Sequence, residues 1–134
     1  MFLNQLRDDL KPLFLDLAVK AAESNGFVAD EQKEMLQAFA AEMQIAPREI
    51  AESDLNDILR QIKETANDQE IRIVVFETIG ILYSDSALDT DENAFLRNVV
   101  SLLGISEESL QDMISNLIEY ASIVQRIFNL ILNN

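Results

Sequence analysis

The sequence predicts an all-α fold: one compact domain over residues 1–134 with about seven helices, a buried central helix and two helix-loop-helix halves. Three observations predict it. Apolar residues recur at helical spacing throughout, as in Met35, Leu36, Phe39, Ala40 and Met43, or Phe95, Leu96, Val99, Val100 and Leu103. Period-2 alternation is missing from strand-length windows. Only three glycines and two prolines punctuate the chain, so no flexible linker divides it.

Element boundaries follow from caps and breakers. Helices are expected near 2–10 and 12–24, with Pro12 at a helix start, and near 30–43, ahead of Ile45. Ala46-Pro47 places a proline at a first helical position and predicts a helix over 47–64, with a break near Ser53-Asp54. Asn67-Asp68 caps a helix over 69–84. Asp89-Thr90-Asp91-Glu92 has the form of a capping box, so a helix runs over 90–103. Ser106 with Glu107 and Glu108 opens a last helix over 107–132, long enough to break near Asn116.

From Ile71 to Tyr83 apolar residues occupy nearly every face, the pattern of a helix enclosed by others. Gly80 within it is expected to mark a close approach of a neighbouring helix. Arg72 and Glu77 interrupt the stretch, which is also too short to span a bilayer. The periodic sets at 35–43 and 95–103 differ by a constant offset of 60, which continues to Ile45 and Ile105 and pairs Ser24-Asn25-Gly26 with Ser84-Asp85-Ser86. That offset is the basis for two similar halves.

Composition removes most function classes. The chain carries 24 Asp plus Glu against 10 Lys plus Arg, a formal charge of −14. That charge repels phosphate backbones, and no Lys/Arg cluster reverses it, so neither nucleic acid nor direct membrane insertion is expected. With no histidine and no cysteine there is no imidazole base, no thiol nucleophile and no Cys/His zinc site. No nucleotide loop or nucleophile elbow appears, no enzyme activity is expected, and no cofactor is required. The N-terminus lacks the basic start and apolar core of a signal peptide, so a cytoplasmic location is expected.

The densest polar feature is the loop Ser84-Asp85-Ser86-Ala87-Leu88-Asp89-Thr90-Asp91-Glu92, with four carboxylates and no basic residue. Asp89 and Glu92 fit helix capping. Asp85, Asp89, Asp91 and Glu92 together are the oxygen donors a hard cation takes, which makes them the candidate ligands of a low-affinity Ca²⁺ or Mg²⁺ site. Counted from Asp85, the loop has Thr90 where an EF-hand needs glycine and Leu96 where it needs glutamate, so it is not an EF-hand. The matching loop Asn25–Gln32 lacks the equivalent acids. Glu77, in the apolar helix, is expected on an exposed strip or paired with Arg72 or Arg97. The run Leu117–Leu132 is expected to pack mostly on the core, with surplus apolar surface near Phe128 and Leu132 for a partner or a dimer contact.

The two loop-helix units give the chain a resemblance. Phe14-Leu15-Asp16-Leu17-Ala18 leads through Asn25-Gly26 to Ile45-Ala46-Pro47-Arg48-Glu49-Ile50. Thr78 leads through Asp85-Ser86 and Asp89-Thr90-Asp91-Glu92 to Leu103-Gly104-Ile105-Ser106-Glu107-Glu108. In this arrangement the chain resembles the tellurite-resistance TerB-like family over nearly its whole length. The resemblance implies a bacterial cytoplasmic all-α domain with no established catalysis, linked to stress or metal resistance and to protein partners that are membrane-associated. It departs from the family pattern at Asn25 and Ala29, where acids are expected, and at Ser86, where glycine is expected. The expected function is a non-catalytic interaction or sensing module, monomeric or homodimeric. The alternative is a divalent-cation binding protein using loop 85–92.

Overall fold

A computed structural model describes residues 1–26, 29–48, 51–83 and 88–133, and every regular element among them is helical. After a short 3₁₀ turn at Leu3–Gln5 come α1 (Lys11–Ser24), α2 (Ala29–Met43), α3 (Leu55–Thr65), α4 (Asp68–Leu82), α5 (Thr90–Leu103) and α6 (Glu107–Leu132). The chain divides into two compact units, Met1–Gly104 and Ile105–Asn134.

In the first unit α1 packs against α2, α3, α4 and α5, while α4 packs against α1, α5 and the N-terminal turn. The core is aliphatic around one fully buried ring: Phe14 is buried together with Leu15, Leu17, Leu36, Ile58, Leu59, Ile62, Val74, Val75, Ile79, Leu96 and Val99. As the apolar run predicts, α4 is enclosed on most sides, and its outward strip is Gln69, Arg72, Phe76, Gly80 and Tyr83. Gly80 therefore does not mark a close approach. It is exposed, and a Cβ there would meet nothing within 4 Å.

The two halves are visible as α1–α2 and α4–α5. At the offset of 60, Leu36 and Leu96, Ala40 and Val100, and Met43 and Leu103 are buried in pairs. Their ends differ. The second half closes on Gly104, left-handed at φ 77, whose preceding carbonyl, that of Leu103, accepts a hydrogen bond from Lys63 Nζ at 3.2 Å. The first half closes on Gln44, a non-glycine residue at φ 59.

Three expected boundaries are corrected. No α-helix forms over 2–10, because the Arg7 N–H that would bond the Leu3 carbonyl donates to Glu70 Oε2 instead, at 3.1 Å. Residues 47–54 are not helical among those described, and Pro47 starts no helix. The break at Ser53-Asp54 is the true start, since Asp54 is extended and its carboxylate accepts from the Asp57 N–H at 2.8 Å. The last helix does not break at Asn116, whose side chain donates to the Asp112 carbonyl one turn back and stays within a continuous helix. The regular structure is thus six α-helices and one 3₁₀ turn among the described residues, in place of about seven helices.

The second unit holds α6, capped by Ser106, whose hydroxyl accepts from the Ser109 N–H at 3.1 Å. Ile118, Tyr120, Ile123, Ile127, Phe128, Ile131 and Leu132 are 40–72% exposed.

Candidate functional site

Both capping motifs at the α4 and α5 starts are complete boxes. At α5, Asp89 Oδ1 accepts from the Glu92 N–H at 2.8 Å and Glu92 Oε1 accepts from the Asp89 N–H at 3.2 Å. At α4, Asn67 and Glu70 exchange the same pair of bonds at 2.8 and 3.1 Å. Glu70 as the third residue of that box was not anticipated from the sequence, although Asn-x-x-Glu before an apolar run announces it.

Of the four candidate cation ligands, Asp85 lies outside the described residues. Asp89 and Asp91 are exposed, and Glu92 is buried with one oxygen committed to the box. Among the described residues no group of three or more carboxylates converges on one point. In the matching first loop Asn25 braces the fold, since its side-chain N–H donates to the Ile81 carbonyl near the end of α4, at 3.3 Å.

Glu77 is neither on the exposed strip nor left as a free acid. It is buried, accepts from the Phe2 N–H at 2.7 Å and lies 3.0 Å from the Met1 amino group. Glu42 takes the Leu3 N–H at 3.0 Å and also pairs with that amino group. Burial works against the amino group's charge, and the hydrogen bonds and attraction from Glu77 and Glu42 prevail and raise its pKa. Glu70 completes the set. It accepts the Arg7 N–H, pairs with the Arg7 guanidinium at 3.0 Å, and Arg7 Nη2 also donates to the Thr65 carbonyl. Burial favours the neutral acid at Glu70, but the Arg7 and Asn67 bonds outweigh it and hold the carboxyl below its ordinary value. Three carboxylates from α2 and α4 thereby bind the segment 1–7 to the first unit.

A cleft of about 350 Å³ is lined by Asp16, Arg48, Glu52 and Ser53. Asp16 is buried on α1, and Arg48 Nη1 donates to both its oxygens at 2.9 Å. Asp16 was legible as the lone charge in the apolar run Phe14–Val19; its partner, 32 residues away, was not. Among the described residues each buried acid is thus engaged in an ion pair or a helix cap.

The second surface is α6. Large apolar side chains stand exposed along it, and its only charged residues between 113 and 132 are Glu119 and Arg126. Among the described residues no helix is long and apolar enough to cross a membrane.

A family model described as tellurite resistance protein TerB matches residues 15–114, more than half of the chain. No curated protein and no solved structure matches it significantly.

Proposed function

The chain belongs to the TerB family, and from that membership we propose that it is a non-catalytic interaction module of a stress or metal-resistance system in the bacterial cytoplasm, docking through α6. The observation that carries this reading is the exposed apolar surface of that helix, where large side chains from Ile118 to Leu132 stand 40–72% exposed. A patch of that kind favours association, since each such side chain gains about 1.5–3 kcal/mol on full burial. The absence of catalysis is supported by the lack of histidine and cysteine and by the use of Asp16, Glu70, Glu77 and Glu92 in ion pairs and caps.

The reading is tested with a photo-crosslinking residue at Ile127 in cells, and at Thr90 as control. A discrete adduct at 127 and none at 90 is expected. No adduct at 127 refutes docking through α6.

Divalent-cation binding at loop 85–92 is the second reading. It is favoured by three carboxylates, Asp89, Asp91 and Glu92, within one turn of a helix start that has no basic residue from 84 to 92. Titration with Ca²⁺, Mg²⁺ and Mn²⁺ followed by Tm tests it, because a ligand bound only by the native state raises stability.

A further inference from the structure

The exposed apolar residues of α6 lie on more than one face, Ile118, Ile123, Phe128, Leu130 and Leu132 among them, and one regular subset of its apolar residues runs along the helix. Leu110, Leu117, Val124 and Ile131 recur every seven residues, and Met113, Tyr120 and Ile127 stand three residues after the first three of them. Every position of this alternating three-and-four spacing is apolar, which is the seam of a paired helix. Leu110 is buried, so the available seam runs from Met113 to Ile131. Within it Tyr120, Ile127 and Ile131 are 51, 48 and 72% exposed, while Met113, Leu117 and Val124 are half-buried.

We infer that this seam pairs antiparallel with the same seam of a second copy of the chain, a deepening that rests on the interaction-module reading. Two features select a second copy. The first is self-complementarity. With residue 122 at the two-fold axis, Met113 meets Ile131, Leu117 meets Ile127, and Tyr120 meets Val124 of the other copy. Six apolar positions close on six with no polar residue in the seam.

The second is charge. Two chains of −14 repel one another over most of their surface. From 113 to 132 the local charge is zero, and both charged residues, Glu119 and Arg126, fall outside the seam on the polar stripe with Ser122 and Asn129. Antiparallel pairing also sets Glu107, Glu108 and Asp112 of the two copies at opposite ends of a helix about 39 Å long, several Debye lengths apart. A parallel pair would stack those acids on one another. A lipid surface is the poorer occupant, since the polar stripe offers one arginine and no lysine.

Sedimentation equilibrium on the full chain, from low to high micromolar concentration, tests the pairing. The expected mass rises toward twice 15.2 kDa. The variant Val124→Asp with Ile127→Asp stays at the single-chain mass with its helical far-UV signal intact. Ser122→Asp with Asn129→Asp adds the same charge on the polar stripe and still dimerises. Because the chain has no cysteine, orientation can be read directly. Copies carrying Leu117→Cys crosslink to copies carrying Ile127→Cys and not to themselves. Homodisulfides at 117 overturn the antiparallel register, and loss of the dimer in the polar-stripe variant overturns the seam. A single-chain mass throughout overturns self-pairing, and the adduct at Ile127 then separates the two failures. A heterologous adduct leaves the interaction module standing, and no adduct removes both.

Discussion

The Glu77 carboxylate accepts the Phe2 N–H at 2.7 Å across 75 residues of sequence, fastening the beginning of the chain to α4. Glu77 is 9% exposed, so this bond is made where water competes poorly. Removing the acceptor leaves a backbone donor to find another partner. Glu77→Ala is expected to cost about 1.5–3 kcal/mol, the range for hydrogen bonds to a charged group, and Glu77→Gln less because an oxygen acceptor remains. Urea unfolding measures both.

Glu70 sets an acid limit. Its folded pKa lies below the ordinary 4.5, so the native state binds its proton more weakly than the unfolded chain does. The stability it contributes is fully present above the unfolded pKa and is lost as pH falls from near 4.5 through the lower folded value. Glu70→Gln should flatten that part of the stability profile between pH 5 and the acid limb. An unchanged acid limb in the variant would show that Arg7–Glu70 pairing is not its source.

Capping and cation binding at the α5 start separate by mutation. Asp89→Ala removes the N-cap and should cost about 0.5–2 kcal/mol even in chelator. Asp91→Ala removes no cap bond, so in chelator it should change Tm little. If loop 85–92 holds a cation, Asp91→Ala also diminishes the Tm rise produced by millimolar Ca²⁺ or Mg²⁺. A wild-type melting curve unmoved by Ca²⁺, Mg²⁺ and Mn²⁺ leaves these acids as capping residues alone.

Val75, fully buried on α4, tests the core. Val75→Asp places a carboxylate in the buried core, and a loss of several kcal/mol, comparable to the stability of a small domain, is expected. Circular dichroism should show the helical signal collapse at neutral pH and recover in part as the acid is protonated.

Gln44 ends α2 at φ 59, a conformation that costs a side chain about 1 kcal/mol and costs glycine almost nothing. Gln44→Gly should therefore raise Tm, whereas Gly104→Ala, at φ 77 and with Lys63 Nζ 3.2 Å from the added Cβ, should lower it. Equal and opposite changes are not required; the signs are.

The sequence by itself determined what rests on neighbours within a few residues. The all-α class, the enclosed character of Ile71–Tyr83, the box at Asp89 and the caps at Asn67 and Ser106 depend on spacings of three and four, which a linear reading can count. The offset of 60 was legible for the same reason, as one apolar pattern written twice. Tertiary structure decided the rest. Segment 1–7 gives up its α-helix where Glu70, 63 residues away, takes the Arg7 N–H that the Leu3 carbonyl would otherwise accept, while Glu77 and Glu42 hold the N–H groups of Phe2 and Leu3. Asp16 is tolerated in the core because Arg48 arrives beside it, and Pro47 starts no helix in the same stretch that carries Arg48. An apolar residue in sequence states only that it gains by leaving water, not which surface covers it. The α6 seam shows this, since its periodicity was present in the chain, while of its exposure only the end near Phe128 and Leu132 was legible.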